Sequence, residues 1–288
     1  MERERLTLED ADFLDIDWMR QKEKTNTKVA VLCHGLEGSS SSKYIRKIAE
    51  HLHKEKFDIL AINYRGCSGE INKAKRIYHS GATDDLQEVL TMRTSDYESV
   101  FLIGFSLGGN LVLKYTGDPM QKKIPNLKKV AAVSVPLDLK GCSLEMLSKT
   151  NKLYTARFVK DLSQKAKLKN EQYPGLIDLD ILANVNNVWE FDDKITAPLH
   201  GFKDAEDYYS QCNSKQFLPE IEYPALIINA RDDSFLSESC YPSDQEIKND
   251  NIHFSYTQHG GHVGFVEWRK DVYWHESEII HFFSMQDS

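Results

Sequence analysis

The strongest constraint in this chain is a succession of short apolar runs, each followed by a stretch with helical spacing. The runs are Val29 to Cys33, Phe57 to Ile62, Val100 to Ile103, Val130 to Val135, Ala225 to Asn229 and Ile252 to Tyr256. Near-continuous apolar strands of this length suit a parallel sheet covered on both faces, because neither face meets water. Between them, Tyr44 to His53 and Leu107 to Tyr115 carry apolar residues three and four positions apart, the spacing of one helix face. Asp84 and Asp85 open another such stretch, where the helix dipole favours carboxylates. Ahead of the first run, Phe13, Ile16 and Trp18 sit among aspartates and suggest an antiparallel opening hairpin. The pattern predicts an α/β fold with a mostly parallel central sheet flanked by helices.

The alternation fails once. From about 136 to 220 no strand pattern occurs; helical periodicity and turn residues take over, with a lysine-rich stretch from Lys160 to Lys169. A segment of that length is too long for a structureless loop inside a compact domain. It reads as a helical cap, or lid, inserted over the C-terminal edge of the sheet. The strand pattern resumes at once with Pro224-Ala225-Leu226-Ile227-Ile228, which favours an insertion within one domain spanning 1–288 over a second domain.

Composition narrows the class of function. The chain is 41% hydrophobic and 28% charged with a net charge of −8, which argues for a globular protein and against a general nucleic-acid binder. Cys33, Cys67, Cys142, Cys212 and Cys240 are scattered, with no CxxC pair or zinc spacing. They are expected to be free thiols of a reducing cytoplasm. The start, Met1-Glu2-Arg3-Glu4-Arg5, lacks the apolar core of a signal peptide. No apolar run approaches the ~20 residues that span a bilayer, so a cytoplasmic location without a membrane anchor is expected.

The chemistry centres on Gly104-Phe105-Ser106-Leu107-Gly108-Gly109, which lies between an apolar strand and a helical stretch. A nucleophile elbow needs this arrangement: a serine on a strained turn, glycines that permit close backbone approach, and a helix N-terminus facing developing negative charge. The pentad alone is a weak signal; strand and helix on either side strengthen it. A serine needs a base, and the base an orienting acid. Downstream, Ala225 to Asn229 runs into Ala230-Arg231-Asp232-Asp233, and the next strand is followed by His259-Gly260-Gly261-His262. The order Ser106, Asp233, His262 fits, with Asp232 and His259 as competitors. The two histidines have no third ligand at zinc spacing, so no metal is expected. Oxyanion donors are expected at the backbone N–H of Leu107, directly after the nucleophile, and of Leu36 in Cys33-His34-Gly35-Leu36-Glu37-Gly38. His34 is expected to order its loop rather than act as base. Gly35 to Lys43 lacks the Gly-Lys-Ser/Thr end of a phosphate-binding loop, so neither nucleotide nor any other cofactor is expected.

At these residues the chain resembles the α/β-hydrolase superfamily, and more narrowly the YheT-like hydrolases. The matching segments are His34 to Ser39, Asn63 to Gly69, Gly104 to Asn110, Asn229 to Asp233 and Gly260 to Phe265. The resemblance implies a triad of Ser106, an aspartate of the Asp232-Asp233 pair, and His262. Across the superfamily the acid opens a short Asp-x-apolar-apolar pattern; Asp233-Ser234-Phe235-Leu236 fits it, which selects Asp233. Many relatives have proline where this chain has Ser234, a difference expected to affect loop stiffness more than chemistry. Vertebrate relatives carry an N-terminal membrane anchor that is not carried over here. The expected activity is hydrolysis of a small carboxylic ester through an acyl-enzyme. An acyltransferase or a non-catalytic binding module of the same fold is the alternative. Tyr154, Phe158, Trp189, Phe191, Phe202, Tyr208 and Tyr209 of the insertion could line an apolar acyl cleft, although each reads more readily as insertion core.

Overall fold

Eight strands form one sheet in the computed structural model, which describes residues 1–22, 27–267 and 271–285. They are β1 (Glu2–Thr7), β2 (Phe13–Met19), β3 (Lys28–Cys33), β4 (Asp58–Asn63), β5 (Ser99–Phe105), β6 (Leu127–Val133), β7 (Ala225–Ala230) and β8 (Ile252–Thr257). Their order across the sheet is β1-β2-β4-β3-β5-β6-β7-β8. The β1–β2 and β2–β4 pairings are antiparallel and the remainder parallel. The opening hairpin is held by Arg3 on Asp17 and Arg5 on Asp15 at 2.8–3.0 Å, which accounts for the aspartates between its apolar residues.

Alternate residues of each strand enter different cores, because successive side chains point to opposite faces. The first helices are α1 (Lys43–Lys54), α2 (Thr83–Arg93) and α3 (Leu107–Gly117). Val29, Val31 and Cys33 join one core with Leu86 and Val89 of α2 and Leu111 of α3. Ala30 and Leu32 face the other core, with Ile45 and Ile48 of α1 and Ile279 and Phe282 of the C-terminal helix Trp274–Ser284. The parallel strands are therefore covered on both sides, as their unbroken apolar runs require.

The strand order reverses at β3: the chain builds β4 on one side of it and β5 on the other. The connections leaving β3 and β5 there lead to α1 and α3 on opposite faces of the sheet, and open α/β sheets place ligand sites at such a crevice. Strand β6 differs from the expected Val130 to Val135. It begins at Leu127, where Lys129 donates to the carbonyls of Phe282 and Met285 at the end of the C-terminal helix. It stops at Val133 because Ser134 turns left-handed at φ 52°.

Between β6 and β7 the described residues contain no strand. Helices α4 (Leu139–Glu145) and α5 (Lys152–Gln172) lead into shorter helical turns ending with Lys215–Glu220. This segment has a small core of its own, with Leu162, Ala166, Phe191 and Ile195. Lys169 of α5 is fully buried and donates to the carbonyl of Ala74, 2.6 Å away, tying the helix to the loop after β4. No helix of the described residues is long and apolar enough to cross a membrane.

Candidate active site

Ser106 follows β5 and caps α3 with φ 53° and ψ −121°, a conformation few non-glycine residues adopt. The turn closes because the amides of Gly109 and Asn110 donate to the Ser106 carbonyl. It fits because its flanking glycines lack side chains. A Cβ at Gly104 would lie 2.1 Å from the Gly108 carbonyl oxygen, and one at Gly108 would lie 2.4 Å from that of Cys33. No other residue type can pack β5, α3 and the end of β3 this closely.

The loops after β7 and β8 bring the remaining groups to Ser106. His262 Nε2 stands 3.0 Å from Ser106 Oγ, and His262 Nδ1 stands 2.8 Å from Asp233 Oδ2. An ionised carboxylate only accepts, so Nδ1 carries the proton and Nε2 is free to accept from the serine hydroxyl. The Asp233 side chain is completely buried, and its other oxygen accepts the Phe235 amide at 3.0 Å. The Phe235 ring lies 4.4 Å from the imidazole, centroid to centroid.

The competitors sit elsewhere. Asp232 accepts the amides of Gly260 and Gly261, each at 2.8 Å, and faces the solvent-exposed His259. It shapes the histidine loop without reaching Ser106. His34 is buried: its Nδ1 lies 2.7 Å from the Gly35 carbonyl, while its Nε2 receives the Tyr64 amide. Burial pushes its pKa down to about 3, so it is a neutral loop-ordering group. The amides of Leu36 and Leu107 find no acceptor among the described residues, and both residues border the same cleft as Ser106 and His262. No group of three or more His, Cys, Asp or Glu among the described residues could hold a metal ion.

The cleft encloses about 870 Å³ of empty space, its open mouth included. Of the seven aromatics named above, Phe158, Phe191, Tyr208 and Tyr209 line it. Trp189 and Phe202 pack behind, against Tyr208 and Tyr209, and Tyr154 is exposed, edge-on to Phe235. Three contributors escape sequence reasoning. Ser134 Oγ accepts the Val263 amide at 2.9 Å and so fixes the residue after His262. Glu37 is joined to the lid, as described below. Asp192 borders the cleft inside a π-helical turn, Asp192–Thr196, and accepts the hydroxyls of Thr196 and Tyr209 at 2.7 Å each. Burial raises its pKa to about 6, against lowering by those two hydrogen bonds. Ser134 and Asp192 are lone polar residues without a motif, and Glu37, although it sits in the His34 to Ser39 segment, gives no sign in the sequence of its distant partner; only the π-turn itself, a frequent mark of functional sites, flags one of the three.

The sheet order and the strand-to-helix elbow define a class, and comparison with known proteins agrees. A family profile described as the α/β hydrolase fold matches residues 29–267, and the chain belongs to that family, within its YheT-like branch. The chain is 36% identical over 270 residues to YheT of Escherichia coli (strain K12), named as a candidate esterase, covering 91% of this chain and 78% of that protein. It is 31% identical over 261 residues to a Bos taurus protein named phospholipase ABHD3, covering 89% of this chain and 63% of that one. Among solved structures, the Pyrococcus furiosus esterase Pf2001 superposes with a TM-score of 0.60 at 16% identity, over 98% of this chain and 88% of its own. At that identity the likeness concerns the fold.

Proposed function

We propose that this protein is a serine hydrolase of carboxylic esters. The observation that carries the reading is the continuous Ser106–His262–Asp233 hydrogen-bond chain opening onto an apolar cleft. In the proposed reaction Ser106 Oγ attacks the ester carbonyl while His262 Nε2 takes its proton. Asp233 holds the tautomer and stabilises the imidazolium. The amides of Leu36 and Leu107 stabilise the oxyanion. His262 then protonates the departing alcohol, and a water molecule, activated by the same imidazole, releases the acid from Ser106. The apolar lining suits an acyl chain of short or medium length; relatives named esterase, phospholipase and monoacylglycerol lipase support ester chemistry in general.

A fluorophosphonate probe tests this directly. The native protein is expected to be labelled and to hydrolyse chromogenic esters, with Ser106→Ala losing both, the rate by at least roughly a thousandfold. Hydrolysis that persists in Ser106→Ala would overturn the assignment. Turnover that depends on an added alcohol or thiol acceptor would instead identify an acyltransferase.

A further inference from the structure

The loop that carries Leu36 is gripped from the lid. Lys165, on the inner face of α5, places its Nζ 2.8 Å from Glu37 Oε1. The Tyr78 hydroxyl donates to the same oxygen at 2.6 Å, and the Glu37 amide donates back to that hydroxyl at 2.9 Å. Lys165 also reaches Cys67 Sγ at 3.1 Å and lies over the Tyr78 ring at 4.7 Å. The side chains of Lys165 and Glu37 are only 7% and 10% exposed, so the pair is little screened by water.

The grip acts where it matters for charge stabilisation. Glu37 is held at φ 52°, a left-handed conformation that persists in a non-glycine residue only when its surroundings enforce it. It directly follows Leu36. The same loop packs so near the elbow that a Cβ at Gly35 would stand 3.1 Å from Ser106 Cβ. On the side away from the lid, the Gly35 amide is fixed by the Tyr44 hydroxyl at 2.9 Å. The Leu36 amide therefore lies between one anchor from helix α1 and one from the lid. Burial lowers the lysine pKa, but the facing thiol and carboxylate outweigh it and raise it overall; the ammonium stays charged at neutral pH.

Resting on the ester-hydrolase reading above, we propose that the Lys165–Glu37 ion pair is a latch through which the lid sets the direction of the Leu36 amide. Both residues are then positioning residues for the reaction: neither touches substrate, yet a lid that is out of place leaves one oxyanion donor misdirected. Lid docking and catalytic competence become a single event.

The test compares Lys165→Met, Lys165→Arg and Glu37→Gln with the native protein, each checked for folding by circular dichroism. For a chromogenic ester, Lys165→Met and Glu37→Gln are expected to lower kcat ten- to a hundredfold with KM within twofold, and Lys165→Arg to recover most of it. Affinity for a trifluoromethyl ketone, whose adduct with the serine needs the same donors, is expected to fall in proportion to kcat/KM. Native kcat and native ketone affinity in both disrupting variants would overturn the latch. Hydrogen exchange in the peptide covering 34–40 gives a readout independent of turnover: it is expected to quicken in Lys165→Met. Unchanged exchange there overturns the latch even if the native protein cleaves no ester, an outcome that would by itself count against the hydrolase reading.

Discussion

Ser106, Val263 and Phe265 are all left-handed without being glycine: one is the serine of the elbow and two lie in the loop just after His262. Backbone strain of this kind is sustained by packing, so the neighbours that enforce it should tolerate little change. Gly108→Ala would drive a methyl group into the Cys33 and His34 carbonyls, 2.4 and 2.6 Å away. It is expected to cost about 1–3 kcal/mol, read as a lower urea midpoint, and to abolish fluorophosphonate labelling. Asp192 gives a prediction with a sign. Its folded pKa, about 6, exceeds the ordinary 3.8, so the folded protein holds a proton that the unfolded chain has already released. Stability from this group is present below about pH 4 and is lost as pH rises to about 6, by up to roughly 3 kcal/mol. Asp192→Asn removes that loss. Its melting temperature should match the native value near pH 4 and exceed it above pH 6.5; a difference constant across that range would refute the burial argument. At this scale the sequence was informative where a residue sits on a loop leaving a strand and is flanked by glycine, as Ser106 and His262 are. It was silent about Ser134, whose partner Val263 is 129 residues away, and about Asp192, whose partner Tyr209 arrives only through the tertiary fold.

Helix α5 shows why elements are easier to foresee than their faces. Within its lysine-rich stretch, Lys165 and Lys169 join Leu162 and Ala166 on the buried side. The three- and four-residue spacing was present in the sequence, but lysine at a core-facing position conceals it, since only tertiary partners make such burial affordable in free energy. Lys169→Met is expected to leave the Asn72 carbonyl unpaired under the lid and the Ala74 carbonyl with only the long 3.4 Å bond from the Asn72 side chain, and to destabilise the protein by about 1–3 kcal/mol, measurable by chemical denaturation. The strands were legible for the opposite reason. Burial on both faces writes itself as an unbroken apolar run, and only strand ends escaped: β5 runs on from Ile103 to Phe105, β6 starts three residues early on Lys128 and Lys129, and the turn at Ser134 ends it.

Over the whole molecule, sheet and lid share the loops that hold the site. Lys165 grips the loop after β3, Lys169 the segment after β4, and Asn151 donates to the Ser234 carbonyl in the loop after β7. Ties from one lid to three sheet loops predict a single unfolding transition. In a variant that keeps only Trp189 of the four tryptophans, fluorescence reports the lid alone. Its denaturation curve should coincide with that of far-UV circular dichroism; an earlier fluorescence transition would mean that the lid melts separately. The strand order across the sheet was not legible, because apolar runs state that strands exist and not which neighbours they choose.

The sheet order also bears on how the molecule is made. A ribosome delivers the chain from its N-terminus, and domains begin to organise as they emerge. Ser106 directly follows β5, near the middle of the sheet, whereas β7 and β8, which carry the loops of Asp233 and His262, are added last at one edge. Throughout synthesis of the lid the serine therefore has no base beside it. On the proposed mechanism a nascent chain is chemically silent, and so is any fragment that stops short of β8. Activity would begin only when the outermost strand zips onto β7, making completion of the sheet the moment at which the nucleophile is armed.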